Sequence, residues 1–507
     1  MQTTDADLVA LERDLEASIL TACFADFARK FWPVMTGLAY PENTASRALC
    51  AAFQAVADGR IRRLLVAICP GIGKSTFLAL YAAWRFARRA DWRALHAMTA
   101  QADADRESVR VRTLVCHEEF RRLFPAVRLG AEQTVKSWTT SSLGRYFALG
   151  RDGAVTSKRV LEVVIDDPMT ALERYSKTTR DEVWTWFDGS LKSRIDGDGP
   201  VIIVAQRLDR DDIHARCISS GEPWCFLEPA AERDGRGLEL RDHAGEIVWS
   251  DDREPGDLIA PQMLTTAKLA GLSKSVRITQ YQQRPDEDEG AGTIARTAWR
   301  FHAPEGATGA RPRGCDETRP TIITPASFDR IVISCDPTFG GTKTQNDFAS
   351  TQVWGEAGAG RYLLARWKKR SKQGEQREQI KVFRLIYPDA TVLIELAAGG
   401  AGMVEELTAI DPETGRAVLT DVQGVTVGSH TGGKAARLDN VSPTIEQGFA
   451  YLLLGMADLQ DFVDELAGAT AHDDDQDACS QALHWLNTRR LSRGNPHGGY
   501  SGDATDD

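Results

Sequence analysis

An apolar run, Leu64 to Cys69 (LLVAIC), leads directly into Pro-Gly-Ile-Gly-Lys-Ser-Thr (Pro70 to Thr76), and a helix-forming stretch, Phe77 to Arg89, follows at once. Strand, glycine turn and helix in this order are what a buried parallel strand needs to enter a crossover helix. The same order aims backbone N–H groups at the helix N-terminus outward, where they can meet phosphate oxygens. Pro70, Gly71, Ile72 and Gly73 form the turn, Lys74 can reach the β and γ phosphates, and Ser75, followed by Thr76, offers a hydroxyl to Mg²⁺. A complete pattern would begin with glycine where Ile68 stands, so the flanking strand and helix carry the reading. The expected ligand is a nucleoside triphosphate, ATP first, with Mg²⁺.

Ala94 to Thr99, Val160 to Ile165 and Val201 to Ala205 are further short apolar runs separated by helical or loop segments, the pattern of an α/β domain with a parallel sheet. Two of them end in polar residues suited to the same ligand. Val163 to Ile165 runs into Asp166 and Asp167: Asp166 is placed to hold the metal shell and Asp167 to orient the attacking water. Asp-Asp-Pro is also ordinary turn chemistry. Gln206, after Val201 to Ala205, is a candidate for sensing the γ phosphate, and Arg207 beside it is either a partner in this or a surface charge. Arg106, Arg110 and Arg112 share a helical stretch that could present an arginine to the transferring phosphoryl group.

With 507 residues the chain has room for several domains. No apolar run reaches the roughly 20 residues of a membrane span, and the opening stretch is acidic and amphipathic, which argues against a membrane or secreted protein. Nine scattered cysteines, none at zinc-ligand spacing, fit a reducing cytosol. A net charge of −11 excludes a protein that coats nucleic acid over its whole surface but leaves local basic faces possible. The clearest, Arg366 to Lys381, reads as a solvated surface segment. The divisions expected are 1–250, a connecting segment 251–325, a second domain 326–490 and a disordered tail 491–507.

In the second domain, strand-like segments at Arg330 to Cys335, Ser350 to Gly355, Tyr362 to Trp367 and Thr391 to Leu396, with a helix before the last, predict a mixed sheet with antiparallel leading strands. Carboxylates stand at three places in it: Asp336 after the first strand, Glu395 at the fourth, and the cluster Asp473, Asp474, Asp475 and Asp477 opening a helix. Hard oxygen ligands on separate elements suit two divalent metals that cut a phosphodiester. Each alone could also be a turn or a helix cap. Lys434 and Arg437 could touch DNA phosphates.

In order along the chain, Gly59 to Leu65, the phosphate loop, His117 to Pro125, Ala148 to Gly153, Val164 to Pro168, Trp184 and Trp186 with Arg194, Gln206 and Arg207 with Asp211 and Asp212, and Gln280 to Pro285 resemble the large terminase subunit of tailed bacteriophages. Cys69 and the Ala205 to Leu208 segment depart from the family pattern. The resemblance implies an N-terminal P-loop ATPase domain of the ASCE type followed by an RNase H-like nuclease domain. It implies Asp336, Glu395 and Asp474 as acidic residues of the nuclease, with Asp473 and Asp477 behind Asp474 and Asp347 as a further metal ligand, and Mg²⁺ or Mn²⁺ as metal. It also implies action on double-stranded DNA, a portal protein and a small terminase subunit as partners, a pentameric ring on the portal, and a place in the bacterial host cytoplasm but not in the mature virion. A helicase-like repair ATPase whose C-terminal domain does not cleave, and a prophage remnant serving as an interaction module, are the competing expectations.

Overall fold

The computed structural model describes residues 5–153, 158–287, 294–338, 348–396, 400–410, 412, 415–426, 433–469 and 473–488. Asp347 and residues 491–507, named above, lie outside them. The chain divides into two compact units, Met1–Glu289 and Gly290–Asp507. Residues 251–287 fall in the first unit and 294–325 in the second.

The first unit is built on a sheet of β1 (Arg63–Ala67), β2 (Arg93–Met98), β3 (Leu129–Gln133), β4 (Ser137–Thr140), β5 (Arg145–Gly150), β6 (Glu162–Asp166), β7 (Val201–Ala205) and β8 (Cys225–Leu227), in the order β3-β4-β5-β2-β6-β7-β1-β8. From β5 to β8 all neighbours are parallel, and β3 and β4 extend the sheet antiparallel. All residues of β6 and β7 are buried, which is why β7 and the centre of β6, Val163 to Ile165, read as apolar runs rather than alternating ones. Each fully buried Val or Ile there contributes about 1.5–3 kcal/mol relative to exposure. The polar stretch around residues 234–257 holds a hairpin of β9 (Glu239–Arg241) and β10 (Ile247–Ser250), anchored by buried Leu240 and Trp249.

Ahead of β1, helices Phe24–Thr36 and Thr44–Ala57 bury aromatic faces against the helix Lys74–Arg88 that follows the loop. Asn43 and Ser46 start the second of these with a reciprocal capping box, which satisfies two donors that a helix end leaves open. Trp32 packs on Phe77 with ring centroids 4.9 Å apart.

In the second unit β11 (Arg300–Ala303), β12 (Thr321–Ile323), β13 (Arg330–Asp336), β14 (Ala349–Ala357), β15 (Gly360–Lys369), β16 (Thr391–Glu395), β17 (Val422–Val425) and β18 (Ala450–Leu453) form one sheet ordered β12-β11-β18-β15-β14-β13-β16-β17. The pairs β13–β14 and β14–β15 are antiparallel and β13–β16 is parallel, the mixed pattern expected. The helix Asp474–Thr488 packs on β13 and β14: Gln481 Nε2 donates to Ser334 Oγ at 3.1 Å, and Gln352 Nε2 donates to the Asp475 carbonyl at 2.8 Å.

The basic run is not a solvated face throughout. On β15, Arg366 and Lys368 turn inward, with 6% and 11% of their side chains exposed, because buried carboxylates of the last helix and of Glu465 wait there. Lys369 and Lys372 are exposed, as expected.

His96 and His214 are fully enclosed in the first unit, and burial pushes both imidazoles down to about 4 from 6.5. Both stay neutral in the folded chain where the unfolded chain would take up protons. Stability contributed by these residues is therefore full above pH 6.5 and declines as pH falls towards 4. Urea unfolding at pH 7, 5.5 and 4.5 should show the first transition moving to lower denaturant at each step; a flat profile would contradict this account.

Candidate functional site

The loop of residues 70–73 leaves β1 at the carboxyl edge of the parallel sheet, where ligands of open α/β sheets bind. Gly71 and Gly73 have φ of +82° and +86°, left-handed values that cost other residues dearly. A Cβ on Gly73 would also lie 2.8 Å from Trp32 Cη2, so side chain and backbone both demand glycine here.

β7 separates β1 from β6, and its end sits between the loop and the two aspartates. Ile68 N donates to the Ala205 carbonyl at 3.0 Å and Asp167 N to the Val204 carbonyl at 2.9 Å. Lys74 Nζ donates to Asp167 Oδ1 at 2.7 Å. Asp167 adopts φ +42°, a conformation that aspartate tolerates better than most residues and that is found at strained functional positions. Asp166 is fully buried, and among the described residues neither of its carboxylate oxygens has a hydrogen-bond partner of good geometry, although Ser75 is near enough to favour its charged form. Burial first, and the neighbouring Asp167 second, raise its carboxyl to about 7. A buried carboxylate left without donors, beside a serine hydroxyl and a second carboxylate, fits a divalent cation.

Gln206 lies at the end of β7, and its Oε1 is buried and accepts no hydrogen bond among the described residues. Arg207 is not a surface charge. Its guanidinium is held by Asp212 and Glu228, each at 2.8 Å, and its N–H donates to Gln283 Oε1 at 2.7 Å. Of the three arginines on the helix Gln101–Cys116, Arg110 reaches the loop, donating from Nη2 to Thr76 Oγ1 at 2.8 Å. Arg106 pairs with Asp103, and Arg112 donates to the Gln133 carbonyl.

In the second unit, Asp336 ends β13 and Glu395 ends β16. The strands are parallel with Cys335 opposite Ile394, so the two acids occupy adjacent positions at one sheet edge. Arg437, expected to face DNA, is instead buried: it donates to Glu395 Oε2 at 3.1 Å and to Asp477 Oδ1 at 3.0 Å, and so draws the final helix to β16. Asp474 faces Lys368, 3.5 Å from its ammonium, whereas Asp473 is exposed.

Asp475, which sequence reasoning did not single out, anchors the helix. It accepts from Ser350 Oγ at 2.8 Å and from Arg366 at 2.7 and 3.0 Å. Burial pushes its carboxyl up, but Arg366, Lys368 and Ser350 outweigh burial and hold it below the ordinary carboxylate range. Glu465, joined to Lys368, accepts from Asp475 N and Gln476 N and so caps the helix. Among the described residues no three acids, histidines or cysteines converge tightly enough to hold a metal. The donors at this edge are all hard carboxylate oxygens, the set that suits Mg²⁺ or Mn²⁺.

Replacing Arg437 with alanine would strand Glu395 and Asp477 as buried charges. Loss of one partner from a buried ion pair costs about 3–5 kcal/mol. Thermal unfolding without added metal should show the second unit markedly destabilised; an unchanged melting profile would refute the role given to this arginine.

Residues 333–486 match the family model described as the terminase RNaseH-like domain. No curated protein matches the chain. Among solved structures, the chain is similar to the large terminase from a thermophilic bacteriophage (9% identity, 89% of this chain and 99% of that one, TM-score 0.49) and to the HK97 bacteriophage large terminase (11% identity, 85% and 93%, TM-score 0.31). The large terminase nuclease domain of bacteriophage SPP1, solved with bound Mn, is similar at 10% identity over 32% of this chain and 89% of that one, with a TM-score of 0.24. Likeness this distant says nothing of activity. The family match is what places the second unit: residues 333–486 form a terminase RNaseH-like domain.

Proposed function

We propose that the chain hydrolyses ATP to drive double-stranded DNA into a procapsid and cuts that DNA at the acidic edge of its second unit. The observation that carries the ATPase reading is the buried, donor-poor Asp166 beside the Lys74–Asp167 bond at the end of the phosphate-loop sheet. Lys74 would leave Asp167 for the β and γ phosphates, which frees the carboxylate to orient the attacking water. Ser75 and Asp166 would hold the metal, and Arg110, already against the loop, would supply positive charge from the same chain to the transferring phosphoryl group. Gln206, lodged between the loop and Asp167, would feel both the nucleotide and the catalytic acid and so couple their state to movement.

In the second unit Asp336 and Glu395, with Asp477, Asp474 and Asp473 from the last helix, would hold the metals. Asp347 remains a further candidate. Divalent ions held by these residues would supply charge for phosphoryl transfer in the first unit and water activation in the second. The portal protein, a small terminase subunit and assembly as a pentameric ring belong to the same reading, as does action in the host cytoplasm rather than in the mature virion.

The full chain should hydrolyse ATP, and Lys74→Ala should abolish hydrolysis while leaving Mn²⁺-dependent plasmid cleavage intact. Asp336→Ala should do the reverse. Arg110→Ala should lower kcat by about 10³-fold or more with little change in nucleotide affinity. Hydrolysis that survives Lys74→Ala would sink the motor reading, and cleavage equal in wild type and Asp336→Ala would sink the nuclease. Strand unwinding without cleavage would instead favour a repair helicase.

A further inference from the structure

A third cation stands at the phosphate loop, and it comes from the segment that the sequence sets outside the ATPase domain. Lys268 lies on the short helix Thr266–Ala270 of the first unit. A methyl group placed on Gly71 would sit 3.6 Å from Lys268 Nζ, with no other atom as close. The ammonium therefore lies over the glycine whose left-handed backbone shapes the turn.

Its carrier is held in place. Thr265 Oγ1 accepts from Lys268 N at 3.1 Å and caps the helix, while Leu269 and Leu264 are buried in the core beneath it. The side chain itself is exposed, and among the described residues it forms no ion pair. The other two cations at the loop have partners: Lys74 has Asp167, and Arg110 has Thr76 and Glu107. Lys268 is also close enough to act on the loop electrostatically. Burial pushes the Cys69 thiol up to about 12, and Lys74, Arg253 and Lys268 all oppose that rise.

An exposed ammonium gains little from a neutral glycine turn. It gains a charge-assisted hydrogen bond when a phosphate oxygen enters that turn. We propose that Lys268 is a phosphate ligand of the bound nucleotide, contacting the polyphosphate tail held by the loop and favouring the triphosphate over the diphosphate because the longer tail carries more negative charge. The proposal rests on the phosphate-loop reading. It adds that residues 265–270 respond to nucleotide occupancy, since their lysine is satisfied only when the tail is bound.

The test is equilibrium binding by the full chain of ATP and ADP, each in competition with a fluorescent methylanthraniloyl-ADP, with Mg²⁺ present. Lys268→Ala should weaken ATP binding about tenfold, the equivalent of one charge-assisted hydrogen bond, and ADP binding by less. Lys268→Arg should restore ATP affinity to within about twofold of wild type, since a guanidinium serves the same oxygens. Unfolding curves without nucleotide should coincide for all three proteins, because the side chain is exposed. If wild type binds nucleotide and Lys74→Ala does not, while Lys268→Ala binds ATP as wild type does, the Lys268 proposal is overturned and the phosphate loop stands. An equal loss for ATP and ADP would overturn the preference for the triphosphate. If wild type itself binds neither nucleotide, the phosphate-loop reading falls and takes this proposal with it.

Discussion

The bond between Lys74 and Asp167 ties the loop of the first unit to the end of β6. Two carboxylates end β6 side by side, one fully buried, and without a positive group nearby they could not both remain charged at the head of an apolar sheet. Lys74 is the one cation that reaches into this space from the loop itself. The loop, the strand β7 and the aspartates are consequently bound into one electrostatic unit. A ligand that drew Lys74 away would have to bring compensating positive charge, as a metal-bound triphosphate would.

The second unit meets the same constraint differently. It buries Glu395, Glu465, Asp474, Asp475 and Asp477 near one end of its sheet, and it answers them with Arg366, Lys368 and Arg437. The acids divide by partner. Asp475 and Glu465 are fully engaged in fixing and capping the last helix, whereas Glu395 and Asp477 share a single guanidinium beside Asp336. That division separates acids that fix the last helix from acids that tie it to β16.

Much of this was legible in the sequence wherever the signal was local. β7 has the bounds of its apolar run, and the strand before the loop, the helix after it and the Asp166–Asp167 pair follow from neighbouring residues. What escaped depends on distance along the chain. Arg366 meets Asp475 across 109 positions, so a run rich in Lys and Arg read as solvated although two of its members are interior. Arg437 looked like a DNA contact because its two carboxylates lie 42 and 40 positions away on other elements. The choice of Arg110 over Arg106 and Arg112 depends on which side of one helix faces the loop, and three closely spaced arginines carry no sign of it. A stronger hint was available at Asp475: three consecutive aspartates at a helix start cannot all point to solvent and also cap it.

Trp32 against Gly73 has a consequence for how such a chain can change over time. The loop's backing is an indole on a helix that precedes β1, so the glycine turn and the N-terminal helices must vary together. Any larger residue at position 73 meets that ring, and any smaller residue at position 32 opens a hollow beneath the loop. The glycine loop is thus not a cassette that recombination could exchange at the boundaries of its own motif; a viable exchange would have to carry the preceding helices with it.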